Sequence, residues 1–208
     1  TFNGAVTAQT LQITSTNTGT VAFNNDLTVA GTLSAAASTY ALSIVGGLNT
    51  IGGPVSFLNT GALTIGDNDS DSTDIQSGVS RALQTNLQGV VSFGGGATLG
   101  SVNATSKGGV LNLSADSLNL GYNNAGNAFG PVSINAAGAV AFTAGALSTT
   151  TLGVSAGSIS QTGGATLAPT GAATLSATGA ITLAGANTFG SDVTFNGANV
   201  TKIGRAHV

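Results

Sequence analysis

The chain contains no cysteine, methionine, tryptophan or glutamate. Four cationic and seven acidic side chains serve 208 residues, 5 % of the chain, against about 25 % in an ordinary soluble domain. Each shortage excludes something. Without cysteine there is no disulfide scaffold and no thiolate metal site. Four cations at a net charge of −3 cannot line a groove that neutralises phosphates, so nucleic acid is excluded as a partner. No run approaches the roughly 20 apolar residues of a membrane-spanning helix, so this segment does not cross a membrane as one. The strong helix formers Glu, Met, Lys and Arg are rare or missing, which argues against a helical bundle.

What is present points elsewhere. Apolar residues make up 41 % of the chain, glycine contributes 32 residues, and the mean hydropathy is +0.35. Disordered chains combine low hydrophobicity with high charge, and this one has neither. The expectation is a β-rich chain whose polar surface is built from Ser, Thr and Asn. The last six residues, Ile203-Gly204-Arg205-Ala206-His207-Val208, match nothing upstream and carry the one histidine. They read as the translation of a sequencing-adapter oligonucleotide, and residues 203–208 are set apart from the argument.

Three segments share one pattern. Asn49-Thr50-Ile51-Gly52 leads to Val55-Ser56-Phe57, Asn127-Ala128-Phe129-Gly130 to Val132-Ser133-Ile134, and Asn187-Thr188-Phe189-Gly190 to Val193-Thr194-Phe195. Their asparagines lie 78 and 60 residues apart, both near multiples of about 20, the size of one solenoid turn. The pentapeptide Thr-Phe-Asn-Gly-Ala occurs at 1–5 and again at 194–198. Between these anchors short alternating pairs recur, such as Leu11/Ile13, Leu27/Val29, Leu63/Ile65 and Leu152/Val154. Period two over such short runs marks half-buried strands, and Gly, Asn and Ser punctuate them as turns.

This rhythm predicts an all-β fold, a parallel β-helix of about 20 residues per rung and on the order of ten rungs. Residues 1–202 are expected to form one repeat region. The stretch 66–89 breaks the texture, with four of the seven aspartates and Arg81. It reads as an irregular acidic excursion or an enlarged corner, with Ser77–Gln88 open to a helical turn. Phe23, Phe57, Phe93, Phe142 and Phe195 fall at alternating strand positions and are expected in the core. Tyr40 and Tyr122 are candidates for stacking on sugars, Tyr122 the better exposed of the two in its turn-like setting.

The run from Gly179 to Gly190, and the cadence of Ile159-Ser160-Gln161-Thr162-Gly163 followed by Leu167, Leu175 and Ile181, resemble repeats of large secreted bacterial β-helix proteins. These are the filamentous-haemagglutinin-like adhesins and autotransporter passengers. The resemblance covers most of residues 1–202 and is weakest over 66–89. It implies a right-handed β-helix in a Gram-negative protein that is secreted or held at the cell surface. An outer-membrane attachment would come through other parts of a longer parent chain. The implied role is structural or adhesive, as a stalk or a rod that binds host cells, extracellular matrix or glycans, without catalysis. An isolated slice of such a stalk exposes unpaired strand edges, so end-to-end or lateral self-association is expected.

Charge collects in one place. Asp67, Asp69, Asp71 and Asp74 alternate with Asn68, Ser70 and Ser72, an oxygen-rich array of the kind calcium takes. Ser72 and Gly78 stand where a calcium loop of the EF-hand type needs Gly and Glu, so the match is partial, and a solvated acidic loop is the simpler reading. No other cofactor is indicated. Asp26, Asp116 and Asp192 are isolated along the chain. A polysaccharide-acting β-helix, hydrolase-like or lyase-like with Arg81 as base beside calcium, is the alternative function, as is a phage-fibre-like polysaccharide binder. An enzyme would bring carboxylates together in a groove, whereas a stalk would be uniform.

Overall fold

The computed structural model describes residues 1–14, 18–68, 70–95, 97–104, 111–115, 118–121 and 131–202. The chain winds as a β-solenoid with about 21 residues per turn. Every strand pairing among the described residues is parallel, and three faces follow one another in each turn. The first face carries Val6–Ala8, Leu27–Val29, Leu48–Ile51, Ser72–Ile75 and Val90–Phe93, then Leu111–Ala115, Val132–Ala136, Leu152–Ala156, Ala173–Ala177 and Val193–Asn196. The second face runs through ten strands in hydrogen-bonded order, from Leu11–Ile13 to Asn199–Lys202. The third includes Thr20–Phe23, Ala41–Ile44, Leu63–Ile65 and Ala165–Pro169.

Period two in the sequence becomes radial position in the fold. In each short strand the apolar residues point inward, and the residue between them points outward. Stacking turns in register aligns these residues into columns. Leu33, Val55, Val79 and Ala97 form a buried column, and the same register runs on through Leu118 to the buried Val140, Ile159 and Ile181. Phe23, Phe57, Phe93 and Phe142 are buried as expected, and Phe195 is partly so. Outward columns are small and polar: Thr7–Thr28–Thr50 on the first face, Ser34–Ser56–Ser80–Thr98 on the second.

Two expectations change here. Ser77–Gln88 contains no helical turn. Val79–Leu87 is a nine-residue strand, and Ser72–Ile75 sits in register between Leu48–Ile51 and Val90–Phe93. The departure within 66–89 narrows to an enlarged corner at 66–71 and a bulge after Arg81, where the register slips between Arg81 and Gln84. Tyr40 is not a surface residue. It is buried, its hydroxyl reaching the Ile13 carbonyl. Tyr122, Asp116 and the tail 203–208 lie outside the described residues.

The repeated anchors also resolve differently from their spacing. Val132, Leu152, Ala173 and Val193 are aligned turn by turn on the first face, so the strands that follow the second and third anchors lie three whole turns apart. Val55 aligns with Leu33 and Val79 on the second face. The 78-residue spacing therefore stops a third of a turn short of four. The pentapeptide behaves alike: residues 1–5 turn from the third face to the first, and residues 194–198 from the first to the second. What repeats is a strand end with its corner, whichever face it occupies.

Asn49 and Asn187 show why an asparagine anchors that unit. Each takes an inward place in a column, one turn beyond a leucine. Asn49 Oδ1 accepts the Leu27 N–H at 3.1 Å, and its Nδ2 donates to the Gly46 carbonyl and to Thr73 Oγ1. Asn187 Oδ1 accepts the Leu167 N–H at 2.8 Å, and the side chain exchanges two hydrogen bonds with the buried Gln161 amide. Both asparagines fill the corner and leave little polar surface unsatisfied in the core. Thr85 is the contrast. It is fully buried in the column that holds Leu63, and its hydroxyl has no partner. Thr85→Val removes that unpaired group at nearly constant shape. It should raise stability by about 1 kcal/mol, read as a higher urea midpoint, and a lower midpoint would show that the hydroxyl is satisfied.

Candidate functional site

The acidic corner is held together by its own carboxylates. Gly66, at φ 74°, turns the chain out of the third face, and Asp71 brings it back. Asp71 is buried, and its Oδ2 accepts the N–H groups of Asp67 at 2.9 Å and Asn68 at 3.0 Å. Its own N–H donates to the Asn68 carbonyl, while Asn68 Oδ1 accepts from both the N–H and hydroxyl of Ser70. Asp71 thus closes the loop as a turn-stabilising aspartate does. Asp74 sits outward on the first face and accepts from Gln76 Nε2 at 3.2 Å. Asp69 lies outside the described residues. Among the described residues no three acidic or imidazole groups gather in a metal-binding arrangement.

Desolvation, then the neighbouring Asp71 carboxylate, pushes the pKa of Asp67 above its usual value. A carboxyl whose folded pKa is raised costs stability once it ionises. That cost is present at neutral pH and fades as pH falls through the raised value towards 3.8. Asp67→Asn should therefore melt slightly higher than the parent at pH 7, with the two curves converging near pH 3. A difference independent of pH would show that Asp67 acts through packing instead.

Arg81 forms the second polar centre, at a different corner. Alternation from Val79 puts it inward, and it is only 4 % exposed. Its guanidinium donates to the Gln84 carbonyl through Nε at 2.9 Å. It reaches the Asn59 carbonyl and Oδ1 through Nη1 at 3.0 and 3.1 Å, and the Gly61 carbonyl through Nη2 at 2.9 Å. Burial pulls its pKa below the ordinary arginine value. The two corners are separate, so Arg81 does not stand beside the acidic loop as a lyase base would. Asp26 is likewise engaged in the backbone, its Oδ1 accepting the Leu48 N–H at 2.9 Å. Asp192 lies against the far end of the first face, its carbonyl taking the Ala173 N–H.

Shallow grooves run over the outward columns. One of about 580 Å³ follows Ser34, Ser56 and Ser80 on the second face, flanked by Thr32, Pro54 and Gly78. Another of about 460 Å³ follows Ser133, Ser155 and Ser176 on the first face. No carboxylate lines either groove. Residues 130–196 match a family described as repeats of unknown function (DUF5649). No curated protein and no solved structure matches the chain. The matched stretch contains a single charged residue, Asp192. It includes the Gln161–Asn187 pair, and the acidic corner and Arg81 lie outside it.

Sequence reasoning missed the buried role of Arg81. The signal was available in parity, because Val79, Arg81, Thr85 and Leu87 are all inward on either side of the bulge. Gln161 is legible in the same way from Ile159.

Proposed function

We propose that the chain is a rod segment of a secreted or surface-exposed bacterial adhesin, which presents a long, nearly uncharged surface to host cells or extracellular matrix. The chain is a repeat β-solenoid, consistent with a structural repeat protein. The observation that supports the adhesin reading is the uniformity of the rod. Outward columns of Ser and Thr continue from turn to turn, and the carboxylates of Asp71 and Asp26 are occupied by backbone N–H groups rather than turned to a shared cleft. Each turn adds about 4.8 Å of reach, and a solenoid extends simply by adding turns.

Beads coated with the protein test the reading. They should attach saturably to epithelial cells or to immobilised matrix proteins and glycans, and soluble protein should compete them off. Beads that attach no better than beads carrying an unrelated neutral β-protein would overturn it. Release of reducing ends from acidic polysaccharides by the same protein would replace it with an enzymatic function.

A further inference from the structure

The corner beneath Ala82 and Leu83 holds a buried cation without a counter-charge. Arg81 offers five N–H donors and makes four hydrogen bonds, all to neutral oxygens of Asn59, Gly61 and Gln84. Burial is the one influence acting on its ionisation, with no carboxylate contributing among the described residues. Carbonyl dipoles satisfy the geometry of a guanidinium but supply no net charge. A buried charge left uncompensated is costly, and an anion brought beside it is strongly favoured.

The bulge makes room for one. A notch of about 300 Å³ lies against Arg81, lined also by Thr60, Gly61, Ala62, Leu83, Gln84 and Asn86. Gly61, whose carbonyl accepts from Nη2, lines the notch together with Arg81 itself, and the second Nη2 proton has no hydrogen bond among the described residues. The rim is open, and Leu83 on it is 45 % exposed, with Ala62 beside it in the lining.

We propose that this notch binds a carboxylate carried on a short aliphatic stem, the carboxylate accepting from Nη2 of Arg81 and the stem lying against Leu83 and Ala62. The site goes beyond the adhesive reading and does not depend on it. Charge complementarity chooses the head group, and Leu83 and Ala62 choose the stem. A fatty acid and the C-terminal end of an apolar peptide share this chemistry.

Hexanoate is a suitable probe, with hexanamide as its uncharged counterpart and formate as the anion without a stem. In the full chain carrying Arg205→Lys, Arg81 is the one remaining arginine, so ¹⁵N-arginine labelling reports on it alone. Hexanoate should shift the guanidinium N–H signals saturably, with a Kd in the millimolar range. Hexanamide should leave them unchanged, and formate should bind about tenfold more weakly. Leu83→Glu supplies a tethered carboxylate, so its signals should start shifted and respond no further. Signals unmoved by about 50 mM hexanoate, an equal response to hexanamide, or a formate response as strong as that to hexanoate would each overturn the site. An apolar tetrapeptide with a free C-terminus, set against its amidated form, then separates the two sources. Its free acid should shift the same signals if peptide ends fit, and hexanoate alone acting assigns the notch to fatty acids.

Discussion

Arg81→Met should lower the stability of the solenoid by about 3 kcal/mol, seen as a reduced urea midpoint followed by far-ultraviolet circular dichroism. The substitution keeps a long apolar stem in the inward column but removes the guanidinium fork. The carbonyls of Asn59, Gly61 and Gln84 then lose their donor, and each buried acceptor left unsatisfied costs about 1 kcal/mol or more. Removing the uncompensated charge offsets part of this loss, which is why the estimate stays at the lower end. Arg81→Lys should recover little, because an ammonium is a point donor that cannot address three carbonyls on two corners at once. A midpoint equal to the parent's in Arg81→Met would mean that the corner closes without its cation.

Gly66→Ala should be nearly as damaging, at about 2–3 kcal/mol, and for a reason unconnected with charge. Gly66 has φ 74°, a conformation that strains any residue with a Cβ. An added Cβ would also run into the backbone carbonyl of Gln88 on the next turn. Neither obstacle can move, since Gln88 is itself tied to Ile65 through its N–H. Gly164→Ala is the matching control, as a Cβ there meets nothing and the backbone is ordinary. Gly164→Ala should melt with the parent, while Gly66→Ala should melt well below it. Equal melting of the two variants would show that the 66–71 corner contributes nothing to the fold.

The architecture was legible because the solenoid uses one rule throughout. An inward position must be apolar and the next must not be, so Leu27/Val29 or Leu63/Ile65 announce their strands in three residues. The turn length was legible only in part, because Val132 and Val193 lie three whole turns apart while the segment at Val55 lies on another face. Asn49 and Asn187 each satisfy a leucine N–H at a corner. The polar centres were harder to read, because they obey the rule of position while breaking the rule of composition. Arg81 and Gln161 stand where an apolar residue belongs, and only the arrangement of carbonyls and amides around them makes that tolerable. The acidic corner was legible as a loop but not in its internal bonding. Spacing gave an oxygen-rich array at Asp67, Asp69, Asp71 and Asp74, and Asp71 turns in to hold its own loop. Spacing gives the order of carboxylates along a chain and not the competition for them among nearby backbone N–H groups.

The corner unit that recurs on different faces gives the rod a second degree of freedom. An exchange between the copies at Asn49 and Asn127 would excise 78 residues, and the strand beginning at Val132 would take the slot that Val55 now fills. Inward and outward parity would survive the junction, so the core columns would continue through it. Everything beyond would be swung by about 120° around the axis, bringing the Ser133–Ser155–Ser176 groove into line with Ser34. Gains and losses of such units therefore set the bearing of each surface feature as well as the reach of the rod.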